Sequence, residues 1–195
     1  MSTTIPVKAR GFSGLFLLGL IIIALGRLAM APVNSFFSLY LLDEVKWDAV
    51  GGMYALAAIS EIPLMMLSGK IISRLGPMRA TAIGSAAIAI RLSIYVIFPN
   101  PAGIVAAQLL HSLCFGLLHP AGVSFVALMV PPERRAQGMA AYMGIGVGLP
   151  TFAGSALGGV IVQDWGYRAL FGSFILFAIA AIVVYAATRR RFAAA

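Results

Sequence analysis

Charge is scarce in this sequence. Only 10% of its residues are Asp, Glu, Lys or Arg, and 61% are hydrophobic; soluble globular domains carry about a quarter charged residues. A chain so composed cannot keep its apolar surface out of water, which excludes an ordinary soluble domain. Cysteine is nearly absent too. Cys114 stands alone in an apolar run, so a disulfide framework within the chain is excluded, and the residue reads as a small buried side chain. No phosphate-cradling Gly-Lys-Ser/Thr signature and no Ser/His/Asp set is found, which excludes ATP-driven transport by this chain alone and argues against an enzyme. His111 and His119, eight residues apart, do not make a metal-ligand set, and no cofactor is expected.

What is present is a succession of apolar runs. A bilayer core about 30 Å thick needs roughly 20 apolar residues per helix, so 195 residues hold six spans with short connections and no soluble domain. Polar and Pro/Gly punctuation marks runs at about residues 13–42, 50–69, 78–98, 102–130, 137–162 and 168–188, forming a single six-helix unit over 1–195. The first run reads as a span and not a cleaved leader, because the apolar stretch resumes beyond Ala29-Met30-Ala31 and Arg27 interrupts it.

The formal charge of +8 does not indicate nucleic acid, since the basic residues sit in short clusters between apolar runs and form no solvated arm. Sorted by connection, Lys8, Arg10, Lys70, Arg74, Arg79, Arg134, Arg135, Arg189, Arg190 and Arg191 fall on one side, and only Lys46 and Arg168 fall on the other, beside Asp43, Glu44, Asp48 and Asp164. The positive-inside rule makes the richer side cytoplasmic, with both termini inside a multi-pass protein of the cell (inner or plasma) membrane. Trp47 and Trp165 fall in the outer connections, where indoles anchor at the headgroup level.

Breakers and small residues shape the runs. Pro32, Pro63, Pro120 and Pro150 each remove a backbone bond to the carbonyl four residues earlier, so kinks are expected there. Gly144/Gly148 and Gly154/Gly158 are small-xxx-small pairs that favour close helix contact, within the chain or to a partner.

Five polar groups lie deep in the spans: Arg27, Glu61, Arg91, His111 and His119. A charge at the centre of a membrane helix costs about 3 kcal/mol on insertion scales, so such residues face the interior, pair, and mark a solute or ion path; the structural alternative is an ion pair with no transport role. At 1.5 Å per residue, Glu61 lies roughly 12 Å and Arg91 roughly 18 Å from the cytoplasmic ends of their helices, which permits a contact between them. Arg27, Asn34 and Ser38 form one polar stripe on the first helix. Gln108, His111, Phe115 and His119 share a face of the fourth, with Ser112 beside it.

The segments SFFSLYL, EIPLMMLSGK, RLGPMR, IAIRLSIY, QLLHSLCFGLLH and PPERRAQGMAAY, in this order, resemble the C-terminal six helices of a major facilitator superfamily transporter. The likeness is nearest to the lactose permease kind of proton symporter, the phenylpropionate permeases and the sugar efflux transporters. It implies an all-α membrane fold, half of the superfamily's twelve helices. It also implies solute and proton-coupling roles for Glu61, Arg91 and His111. Three departures qualify it. Cys114 stands where a proton-carrying carboxylate is expected, Arg27 where the lactose permease kind has acidic residues, and Ser73 at the Asp position of a degenerate loop signature running from Gly69 to Arg79.

The expected function is therefore transport of a small solute, a sugar or small organic anion, coupled to protons and proceeding by alternating access. The substrate and proton residues are Glu61, Arg91, His111, Arg27, Asn34 and Gln108. Partners would be the bilayer, the solute, and a second half that is either its own copy or a separate N-terminal-half chain. Two other classes stay open: a non-transporting subunit or truncated product with a structural polar core, and a channel-like homo-oligomer.

Overall fold

The computed structural model describes residues 12–193, and every regular element among them is helical. The charge assignments made for Lys8 and Arg10 lie outside the described residues. Helix α1 spans Gly14–Asp43, α2 Val50–Leu75, α3 Pro77–Ile97, α4 Pro101–Leu109, α5 His111–Met129, α6 Arg135–Ala141 and α7 Leu149–Ala193. Five stretches are long and apolar enough to cross a membrane: α1, α2, α3, the α4–α5 run Pro101–Met129, and the run Pro132–Ala193.

Local chemistry sets the ends. The Ser13 hydroxyl accepts from the Phe16 N–H at 3.1 Å and starts α1, and Asn100 does the same for Gly103 at 3.0 Å ahead of Pro101; both satisfy amide groups that a helix start leaves orphaned. Gly76, at φ 79°, makes the turn into α3, whose first residue is Pro77. In α7 two helical arms meet at Gly166, where φ 76° and ψ −179° are not helical. Such a backbone is open to glycine and strained for other residues.

Breaks in the helices do not fall at the prolines alone. Helices α1, α2 and α5 continue through Pro32, Pro63 and Pro120. The α4–α5 run is instead interrupted at Leu110. Ahead of Pro150 the chain widens into a π-helix over Tyr142–Gly148. The Pro150 ring has no N–H and would collide with the Gly146 carbonyl of a regular α-helix; the wider π turn relieves that crowding.

The bundle packs α1 against α7 and α3, and α5 against both α2 and α3. One core centres on Phe37, Tyr40, Tyr95, Phe171 and Phe174, all essentially without solvent contact. A second, nearer the basic end, contains Phe16, Phe125 and Tyr142. The Gly154/Gly158 contact is internal: a side chain at Gly154 would strike Ala31 and Leu28, and one at Gly158 would strike Phe36. Gly144 faces nothing within 4 Å. Among the membrane-length stretches α2 is the least covered, burying only Met53, Ala57, Ser68 and Ile72 and exposing Ile59, Ile62, Met65 and Met66.

Candidate functional site

A cavity of about 240 Å³ opens between α1, α2, α3 and the α4–α5 run, lined in part by Asn34, Tyr54, Glu61, Arg91, Gln108 and His111. Five of the six residues singled out in the sequence thus meet in one place. The sixth, Arg27, does not line it.

Arg91 organises the wall. Its side chain is the largest fully buried one among the described residues, 1% exposed. Its Nε donates to the Tyr95 hydroxyl at 3.0 Å, Nη2 to Gln108 Oε1 at 2.6 Å and Nη1 to His111 Nδ1 at 2.5 Å. The other ring nitrogen, His111 Nε2, lies 2.6 Å from Glu61 Oε1. Glu61 and Arg91 therefore do not pair directly across the α2–α3 hairpin. They are joined through His111, because α5 packs against both helices and inserts the imidazole between them.

This geometry dictates the proton positions. A guanidinium is a donor only, so Nδ1 must accept, and the single imidazole proton resides on Nε2 and is donated to Glu61. A second proton on His111 would set two donors face to face. Glu61 has no such obstacle. Protonated, it keeps an oxygen to accept from Nε2 while losing its charge.

Phe115 continues the line, its ring stacked between His111 at 5.9 Å and His119 at 6.0 Å. Beyond it lies a second polar group. Arg27, 6% exposed, reaches His119 Nδ1 at 3.4 Å with Nη2 and places its guanidinium carbon 5.5 Å from the Phe115 ring centre. The Tyr142 hydroxyl lies 3.3 Å from the same Nδ1. These bonds are at the long limit, and Arg27 Nε is buried with no partner. Arg27 does not pair with Glu61, which is engaged by His111, and no carboxylate pairs with Arg27 among the described residues.

Other stripe residues divide. Ser38 bonds the Tyr54 hydroxyl at 3.0 Å, so it faces the cavity neighbourhood with Asn34. Ser112 turns back to its own helix, donating to the Leu109 carbonyl. Cys114 is buried in the core. Three tyrosines of this region went unremarked in the sequence: Tyr54 on the cavity wall, Tyr95 and Tyr142. Tyr95 is signalled by its spacing of four from Arg91, one turn along the same helix face. Tyr142 has no such signal, since it comes from the π-helix and enters only because Gly122 has no side chain to occupy its place.

Buried charges around a cavity, in a bundle of long apolar helices, are the features of a multi-pass membrane protein. The chain matches the MFS_1 like family over residues 14–173, and it belongs to that family of major facilitator transporters. It is similar to the uncharacterized transporter YwbF of Bacillus subtilis (strain 168), at 27% identity, over 80% of this chain and 38% of that protein. It is also similar to the tetracenomycin C resistance and export protein of Streptomyces glaucescens, at 28% identity, over 73% of this chain and 25% of that protein. The maltose permease of Geobacillus stearothermophilus is 24% identical over 77% and 39% of the two chains. Among solved structures, a peptide transporter POT crystallised with alafosfalin superposes with a TM-score of 0.71 and 26% identity, covering 93% of this chain and 40% of the other. The chain thus spans about a quarter to two fifths of the length of these relatives.

Proposed function

We infer that this chain supplies half of a proton-coupled transporter for a small polar or anionic solute, working by alternating access in the cell membrane. Six crossings fit the fold. The last apolar run is 62 residues long, far beyond one bilayer thickness, and the break at Gly166 supports reading it as two spans, near 137–162 and 168–188. Six crossings with the basic connections inside would have both termini in the cytoplasm. Family transporters of this kind face two six-helix halves around a midplane site, and the second half would be another copy or a separate chain.

The observation that carries the reading is the chain of contacts from Glu61 through His111 to Arg91 at the cavity wall. With Glu61 ionised, one negative and one positive charge balance through a neutral imidazole. When Glu61 takes a proton, Arg91 loses its counter-charge and the wall gains affinity for an anion. Proton and solute anion then enter together, and the site stays neutral in both states. Asn34 and Gln108 would offer hydrogen bonds for orientation. Arg27, buried and without a carboxylate, strengthens the bias toward anions.

The test is uptake of monocarboxylates and of neutral sugars into vesicles carrying the chain, with and without an inward proton gradient. Wild type should accumulate the anion only with the gradient, and Glu61→Gln should retain exchange of solute while losing accumulation. Unchanged proton dependence in Glu61→Gln would sink the assignment.

A further inference from the structure

At the opposite end of the molecule from the outer tryptophans, two adjoining cavities share Leu75, Arg79, Tyr185, Arg189 and Ala193. The first, about 290 Å³, has an apolar floor that includes Phe125, Leu128, Met129 and Phe192. The second, about 550 Å³, is its mouth, and adds Arg190. The pair forms one cleft between the α2–α3 turn, the end of α5 and the end of α7. Its composition changes along its length, from hydrocarbon to guanidinium.

We propose that this cleft holds one anionic phospholipid, with its phosphate at Arg79, Arg189 and Arg190 and an acyl chain laid along Leu128, Met129 and Phe125. The charge argument is direct. None of the three arginines is paired with a carboxylate among the described residues, and no acidic residue lines either cavity. The start of α3 adds to this field. Gly76 offers no side-chain cap to this 21-residue helix, and residues 76–79 line the first cavity, so the positive end of the helix dipole lies at the same space.

The apolar part selects a lipid over a soluble phosphate. Leu128 is 72% exposed on the rim of the floor, a surface that an acyl chain covers and an inorganic ion does not. Basic pockets between membrane helices on the cytoplasmic side are where anionic headgroups bind, and each nearby Arg contributes about a fivefold gain in affinity. A lipid seated here would clip the end of α7 to the α2–α3 turn.

The experiment is native mass spectrometry and thermal unfolding of the full chain in mild detergent, with added phosphatidylglycerol, phosphatidylcholine or inorganic phosphate. Phosphatidylglycerol should give a one-to-one adduct and a raised midpoint, while the other two should not. Arg79→Gln with Arg189→Gln and Arg190→Gln should weaken that adduct roughly 100-fold, and Leu128→Gln alone should weaken it more modestly. Arg134→Gln with Arg135→Gln, on the same face but outside the cleft, should leave it intact. The proposal is overturned by equal binding of phosphatidylcholine, by phosphate alone reproducing the shift, or by the Arg134/Arg135 pair losing the adduct as fully as the cleft variant.

Discussion

Two arginines sit in the interior of this bundle, about equally hidden, and their surroundings are opposite. Arg91 spends its fork on three acceptors and reaches a carboxylate through an imidazole. Arg27 has one long bond, an aromatic face and an orphaned Nε. Burial alone therefore says little about what a charge does. The first is tied into the structure, so its removal should harm the fold; the second is a charge the fold tolerates, so its removal should relieve it.

The sharpest way to break that contrast is Arg91→Met. It strips donors from Tyr95, Gln108 and His111 and leaves Glu61 without its counter-charge, and unfolding in detergent should show a loss of about 3 kcal/mol, the usual scale for breaking a buried pair from one side. His111→Phe keeps the stack on Phe115 but cuts the link between Glu61 and Arg91. A loss of about 2 kcal/mol is expected, with failure of proton-driven accumulation in the vesicle assay.

Arg27→Met should move the other way. It removes an uncompensated buried charge at the expense of weak contacts and a cation–π interaction, for a net gain of about 1 kcal/mol in the same unfolding measurement. A loss as large as that of Arg91→Met would erase the distinction between the two sites. The smallest effect is the coupling: combining Arg27→Met with Arg91→Met should depart from additivity by no more than about 0.5 kcal/mol, because the arginines share no direct partner. A larger coupling would mean that Phe115 transmits charge from one group to the other.

Much of this was legible before the structure. The helical class follows from run length and scarce charge, and the polar positions on the first and fourth spans share faces because helix periodicity puts them there. Periodicity along one helix cannot say which neighbour a residue meets. Hence Glu61 and Arg91 could be placed at compatible depths, yet His111 between them was not foreseen. The Tyr142 contact depends on a π turn, whose different period rotates that side chain away from where a regular α-helix would aim it. Pro150 was visible as a breaker, but not the way its crowding would be relieved.

The stack of His111, Phe115 and His119 also gives the protein a place for an optical reporter. Trp47 and Trp165, the two native indoles, lie in the α1–α2 connection and beside the Gly166 break, so an indole installed by Phe115→Trp would be the one set among the polar groups of the interior. Flanked by two imidazoles and a guanidinium, its emission would respond to any change in how those groups sit against it. Solute arrival at one cluster and rearrangement at the other could then be timed from a single residue, in one stopped-flow trace.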